Sequence, residues 1–402
     1  MAAAAAAARR KSTVAAPATS GADLREAIPL SKAPGPGWWF LVQQAREPVE
    51  AFQTVYDQYK HEKLARIRGT DGKEAVVLFD NDDILHVMRN ESKYPKNTLA
   101  RLDTLREYFL DRLGPDSHGF QITTTGEKWR EVRDLYGPGL MTQAAGEYVT
   151  PINTAAEFAA EQFPDFVEQN ANIQIWAQCA AFDMFHAVMF GHHEGVAAID
   201  AKANHPLYEL IELDAESLGL ATRIDNTHWI LHPRDGKKRV YKAMDRLFEI
   251  LRPHVNKFFD RPVDELPHSY FRDLVVDKKI PKEQLLSVIP SFLQAGIATT
   301  QGLTQWAILH LANNPDKQAK LRAEIAEVLG DQPYSRDVKL PYMEAVFREC
   351  HRLTPVVPML STRYLEKDIV LPSGYEIPAD TAMCMLTLPR AKDPEFVGDE
   401  PE

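Results

Sequence analysis

Glu349-Cys350-His351-Arg352-Leu353-Thr354-Pro355, taken together with Ala295-Gly296-Ile297-Ala298-Thr299-Thr300 upstream, governs the reading of this chain. On a helix, Glu349 and Arg352 lie three residues apart and share a face, where they can form an ion pair. The spacing alone is a weak signal, because Glu127/Arg130 and Glu249/Arg252 repeat it in the same chain. The second stretch lies inside a helical segment expected from about Lys282 to Asn313. A glycine in mid-helix costs about 1 kcal/mol relative to alanine. Gly296 therefore marks a place where something comes close to the backbone, either a neighbouring helix or a bound group. Pro290, well inside the same segment, is expected to kink or break it.

Working outward, helical periodicity dominates from about residue 100. Asn314-Pro315 reads as an N-cap with proline at the first helical position. Leu321, Ile325, Val328 and Leu329 then line one face until Gly330 stops the helix. Nearer the start, Phe52 to Tyr59 is an amphipathic stretch. Leu64 to Arg68 and Ala75 to Phe79 read as strands joined by the turn Gly69-Thr70-Asp71-Gly72. Asn81-Asp82-Asp83 places capping side chains and negative charge ahead of Ile84, Leu85, Val87 and Met88, so a helix begins there. After residue 360 the pattern changes to short strands, at Thr362 to Leu365, Ile369 to Leu371 and Tyr375 to Ile377, with Pro372-Ser373-Gly374 as a turn. Without repeats or a second linker, the chain reads as one mostly α domain with a small β-sheet region.

Composition narrows the function classes. The 402 residues carry a net charge of −11, which argues against nucleic acid as the main partner. Three cysteines, Cys179, Cys350 and Cys384, contain no C-x-x-C pair and argue against a disulfide scaffold or a zinc site. No run of eighteen apolar residues is present, so nothing reads as a transmembrane helix. Residues 1 to 22 hold seven consecutive alanines, Arg9, Arg10 and Lys11, several hydroxyls and no acid before Asp23. That composition is the one expected of an organelle transit peptide. Lys32-Ala33-Pro34-Gly35-Pro36-Gly37 reads as a stiff linker, so residues 1–34 are expected to be a disordered leader and linker and 35–402 the domain.

A third motif is Trp129-Arg130-Glu131-Val132-Arg133. Trp129 and Arg133 sit one turn apart with N–H donors on a shared face, and arginine can bind a carboxylate through two parallel bonds. A tryptophan packed at a helix face beside a solvated arginine would have the same spacing.

These three motifs, in this order, with Leu340 to Pro358 and Ser92-Lys93-Tyr94-Pro95, resemble the cytochrome P-450 family, the haem-thiolate monooxygenases. The likeness covers most of residues 35–402 and is greatest for the mitochondrial, sterol-hydroxylating branch. It implies haem b as cofactor, dioxygen, a lipophilic sterol-like or fatty-acid-like substrate, and electrons from a ferredoxin. It also implies that Ala295, Gly296, Ala298 and Thr299 form the catalytic face, with the threonine hydroxyl helping to deliver protons. Trp129, Arg133 and Arg363 would meet haem propionates. Glu349 and Arg352 would form a buried structural pair, and Arg348 would face the ferredoxin. A mitochondrial location follows from the same likeness, with a cytoplasmic one as the alternative and peripheral membrane association compatible with either.

The chain departs from the family pattern in three places. Ala298 stands where an acid usually precedes the threonine. Glu344 reverses one of two basic charges on the ferredoxin-facing helix. None of the three cysteines lies in a glycine-rich loop, so the resemblance puts the axial cysteine beyond Glu402, with no metal ligand inside the 402 residues. By this reading Asp393-Pro394-Glu395-Phe396 begins the segment leading to that loop, the C-terminal part of the fold is missing, and residues 1–402 alone are inactive. Two alternatives stay open: a haem-thiolate isomerase or dehydratase acting on hydroperoxides, which tolerates Ala298, and an inactive truncated relative. Leu207 to Leu231, with Trp229 and Phe248, is expected to line access to the site.

Overall fold

The computed structural model describes residues 27–397 except 70–72, 95–101, 120–125, 171, 199, 201–204, 227–231, 358–361 and 387. Its first half runs β1 (Ile28–Pro29), α1 (Trp39–Arg46), α2 (Pro48–Tyr59), β2 (Leu64–Arg68), β3 (Glu74–Leu78), α3 (Asn81–Arg89), α4 (Asp103–Leu113), α5 (Gly126–Tyr136), α6 (Val149–Asn170) and α7 (Ile173–Phe190). Then follow α8 (Pro206–Asn226), α9 (Gly236–Phe259), α10 (Tyr270–Val276), α11 (Lys282–Asn313), α12 (Pro315–Val328) and α13 (Pro341–Leu353). The chain closes with β4 (Thr362–Arg363), β5 (Ile369–Val370), β6 (Tyr375–Ile377), β7 (Ala382–Met385), α14 (Leu388–Lys392) and α15 (Pro394–Val397). The mostly helical architecture with a small sheet region is as the sequence predicts.

The sheets join distant parts of the chain. One has the order β2-β3-β7-β4, with β2 and β3 antiparallel and β3 parallel to β7. The other has the order β1-β6-β5, with β1 parallel to β6. Both faces of β3 are covered. Val76 and Leu78 face a core shared with Leu64, Leu371, Ile377 and Met383, while Ala75, Val77 and Phe79 face Phe40, Phe52 and Tyr56. Burial on both faces explains why β3 is apolar without alternation.

Pairing of β1 with β6 corrects the expected boundary at residue 34. Leu30 and Ala33 are buried in the sheet core, so the folded body already includes them. The expected linker also packs against the body: Arg66 N–H donates to the Pro34 carbonyl at 2.7 Å. A Cβ at Gly35 would come within 1.8 Å of the Arg66 carbonyl oxygen, so glycine is required there for close backbone approach. The leader reading of residues 1–22 lies outside the described residues.

Two helix starts shift by one residue or by mechanism. The cap of α3 is Asp80, whose side chain accepts from the N–H groups of Asp82 and Asp83. At α12, proline opens the helix as expected, but Asn314 turns back to donate to the His310 carbonyl. Of the predicted apolar face, Leu321 is buried while Val328 is 46% exposed. The expected break at Pro290 does not occur. α11 runs unbroken through it, because Leu285 to Pro290 are buried on all sides and tertiary packing offsets the lost hydrogen bond.

Candidate active site

α11 is the spine on which the site is built. Its first half lies in the main core with Leu286, Ile289, Leu293 and Ile297 buried. At mid-helix one face opens, for Ala295, Ala298 and Thr299 are exposed while Ile297 between them is 3% exposed. These three residues stand at i, i+3 and i+4 and so share one face. The Thr299 hydroxyl donates to the Ala295 carbonyl at 2.7 Å. Gly296 points elsewhere: a Cβ on it would lie 2.8 Å from the Phe185 ring on α7. The glycine thus keeps space for a neighbouring helix, the first of the two uses its position allowed.

One turn before Ala298, Gln294 is buried beside Asp214 and Ser217 of α8. Burial pushes the Asp214 carboxyl well above its ordinary range, and a hydrogen bond with Gln294 offsets this only in part. Sequence reading missed this pair, since nothing local marks a lone aspartate on an amphipathic helix.

Trp129 and Arg133 lie together on α5 as expected. Trp129 is half-buried, and Arg133 is exposed with no ion-pair partner among the described residues. α5 reaches α11 through Tyr136 and Phe292, whose ring centroids lie 5.9 Å apart, so Arg133 and Ala295 are carried on packed helices. Arg363 on β4 is already paired with Glu91, which follows α3. The sequence gives no local cue to that partner.

The pair on α13 forms, with Arg352 Nη2 2.5 Å and Nε 2.8 Å from the two Glu349 oxygens. Arg352 also donates to the Ala391 carbonyl at 2.7 Å, tying α13 to α14. Its guanidinium holds the Glu349 carboxyl below the usual range. The expected burial is met only on the arginine side: Glu349 keeps 52% of its side-chain exposure, against 20% for Arg352. Glu349 lies on the more exposed side of α13. The N-terminus of α13 is capped by Glu324 of α12, which accepts from the N–H groups of Tyr342 and Met343 at 2.7 and 2.9 Å. Arg348 is exposed and paired with Glu344 at 3.0 Å.

The cysteines are free and occupy helix or strand. Cys179 and Cys350 are buried in α7 and α13, and Cys384 sits on β7 against Thr362. The expected access segment is α8, which packs on α9. Trp229 lies outside the described residues, and Phe248 is buried against Tyr108 and Phe109 of α4, in the core and not on an access route. A wide cleft of about 1340 Å³ lies near it, lined by charged residues such as Arg112, Glu209, Lys237 and Arg246, and includes no residue of α11.

The open small-residue face of α11 and the Arg-bearing α5 both lie within residues 29–402. Over that span the chain matches the family described as Cytochrome P-450. The chain is a member of the cytochrome P-450 family. It is 24% identical to "Cytochrome P-450 12b1, mitochondrial" of Drosophila acanthoptera, over 96% of this chain and 75% of that protein. It is 24% identical to "Sterol 26-hydroxylase, mitochondrial" of Oryctolagus cuniculus, over 77% of this chain and 60% of that protein. A shorter region, 36% of the chain and 29% of the relative, is 34% identical to "Ent-kaurene oxidase 2" of Oryza sativa subsp. japonica. The chain therefore spans three quarters of one of these relatives and 60% or less of the other two.

The cofactor of the cytochrome P-450 family is haem b. The residues present fit one side of such a group. The face formed by Ala295, Ala298 and Thr299 has small side chains that leave room for a flat macrocycle. Arg133, without an ion pair among the described residues, is a cation fit for a propionate, and Trp129 can add an N–H donor. Arg363 fits only by exchanging Glu91. No described helix is long and apolar enough to cross a membrane.

Proposed function

We propose that this cytochrome P-450 is a haem-dependent monooxygenase that inserts one oxygen atom into a lipophilic, sterol-like or fatty-acid-like substrate. Its electrons come from a ferredoxin, and its location is mitochondrial. The observation that carries this reading is the open Ala295–Ala298–Thr299 face in the middle of an otherwise packed helix. Mitochondrial naming of two of the relatives supports the location and the donor.

Haem, when bound, supplies the site for dioxygen activation. The remaining work falls to the chain. Arg133 and Trp129 anchor propionates through charge-assisted and N–H hydrogen bonds. Ala295 and Ala298 keep the helix surface low, so that bound groups reach the backbone. Thr299 holds a hydroxyl whose proton now rests on the Ala295 carbonyl. Its oxygen lone pairs are free to accept from water, so Thr299 can relay a proton when water occupies the face. With alanine at 298 no carboxylate stands beside it, and water is the proton source at that turn. On α13, Glu344 partly neutralises Arg348, which weakens the attraction to an acidic ferredoxin.

The test is isotopic. Full-length haem-loaded protein, given ¹⁸O₂, ferredoxin, its reductase, NADPH and a panel of lipophilic substrates, should put one ¹⁸O atom into a product. Thr299→Ala should divert more of the electrons to hydrogen peroxide than the unmodified protein does, and unchanged coupling would count against the relay. Turnover of a fatty-acid hydroperoxide without reductant, together with no ¹⁸O incorporation, would replace this reading with the isomerase or dehydratase alternative.

A further inference from the structure

At His186, the residue after the Phe185 that meets Gly296, three metal-type ligands from separate segments converge. His186, one turn before the end of α7, is 2% exposed and has its Nδ1 2.6 Å from the His192 carbonyl oxygen. A carbonyl only accepts, so Nδ1 carries the hydrogen and Nε2 presents its lone pair. Nε2 of His254, from α9, lies 2.6 Å from that nitrogen. Glu194, from the loop after α7, places Oε1 3.6 Å from His186 Nε2 and 3.8 Å from His254 Nε2. Among the described residues, this is the one group of three such ligands whose donor atoms all lie within 4.8 Å of one another.

We propose that His186, Glu194 and His254 form a binding site for a divalent transition metal of the zinc class, separate from the haem face. Zinc bonds imidazole nitrogen and carboxylate oxygen at about 2.0–2.2 Å, so two ligand atoms of a tetrahedral site stand about 3.3–3.5 Å apart. The two His–Glu separations are within a few tenths of an ångström of this. The His–His separation must open by about 0.7–0.9 Å to match that spacing. In the absence of metal, one imidazole must donate the proton that bridges the two nitrogens, and the cation takes the place of that proton. Two neutral imidazoles and one carboxylate suit zinc better than magnesium or calcium, which take oxygen sets.

The surroundings support a built site. Asp183, fully buried, accepts backbone N–H bonds from Glu194, Val196 and Ala197 at 2.8–3.1 Å, which fixes the loop bearing the carboxylate. His205 lies 3.0 Å from the Glu194 carbonyl, and His192 Nε2 lies 3.1 Å from Glu194 Oε1. The carbonyl on His186 Nδ1 is the outer-layer partner that metal-bound histidines usually have. Phe190 stacks on the His186 ring at 4.4 Å and keeps that side dry. Glu194 and His254 retain 27% and 19% of their side-chain exposure, which leaves an entry path and room for water as a fourth ligand. A metal here would clamp α7, α9 and the loop between α7 and α8.

Untagged native protein should be dialysed against zinc at low micromolar concentration, with metal content, thermal unfolding and zinc-edge X-ray absorption measured. The expected result is one zinc per chain, four nitrogen or oxygen ligands including two imidazoles, and an unfolding temperature that rises with zinc. His254→Gln and Glu194→Gln, both at partly exposed positions, should each weaken binding by more than the about 10–100-fold that loss of an outer-layer partner costs. They should also abolish the zinc-dependent rise. His192→Gln, which removes only an outer-layer partner of Glu194, should weaken binding by no more than about 10–100-fold. No stoichiometric zinc, a six-coordinate spectrum without imidazole, or equal binding by wild type and both ligand variants would overturn the proposal. None of these readouts depends on haem or on turnover.

Discussion

At the residue scale, Asp214 shows how burial reverses the usual behaviour of a carboxyl. Its Oδ1 and Gln294 Oε1 are both buried acceptors without a hydrogen-bond partner. A proton kept on Asp214 gives the pair a donor, and burial favours that neutral form. The folded protein therefore binds this proton more tightly than the unfolded chain does. The stability it contributes is fully present below the unfolded carboxyl value of about 3.9 and is lost as pH rises through the raised folded value. Asp214→Asn, which supplies a permanent N–H donor, should remove that loss. Urea unfolding at pH 5 and pH 8 should show the variant gaining about 1–3 kcal/mol over wild type at the higher pH, the cost of a buried polar group left unsatisfied. Parallel pH profiles for the two proteins would sink this account of Asp214.

At the element scale, the packing of α7 on α11 depends on a missing side chain. Gly296 admits the Phe185 ring at a distance that no Cβ could tolerate. Gly296→Ala should therefore destabilise the protein by about 1–3 kcal/mol, the usual range for overpacking, despite alanine's better helix propensity. Phe185→Leu in the same chain should recover most of that loss, as a double-mutant cycle in chemical denaturation would show. Additive effects of the two changes would mean that α7 simply shifts to make room. The same helix pair explains why Pro290 is tolerated: a helix enclosed by partners can lose one backbone bond and keep its course.

At the scale of the whole molecule, the two ends of the described chain are tied by a small charged cluster. Asp393 accepts from Lys60 Nζ at 2.6 Å and from the Tyr56 hydroxyl at 3.0 Å, across 333 and 337 residues of sequence. The hydrogen bond from Lys60 holds the Asp393 carboxyl below its usual range. A depressed carboxyl contributes stability above its unfolded value, and that stability is lost as pH falls through the folded one. Asp393→Asn should thus lower the unfolding temperature at pH 7, with the difference from wild type shrinking as pH falls below 4. A difference that stays constant down to pH 3 would exclude charge as the cause.

Much of the architecture is legible in the sequence because it is local. The span of α11, the β2–β3 hairpin and proline at the start of α12 follow from periodicity, turn chemistry and the fixed φ of proline, which act over a few residues. The ion pair Glu349–Arg352 and the shared face of Trp129 and Arg133 are equally local, three and four residues apart on one helix. What the tertiary structure decided depends on contacts that no short window contains. Glu91 reaches Arg363, Glu324 caps α13, Phe185 fills the space above Gly296, and Leu30 and Ala33 join the sheet core instead of forming a linker. The meeting of His186 and Glu194 with His254, a histidine 68 residues beyond His186, is another such case. Residue spacing along one helix determines which side chains share a face. Only the packing of one helix on another determines what that face meets.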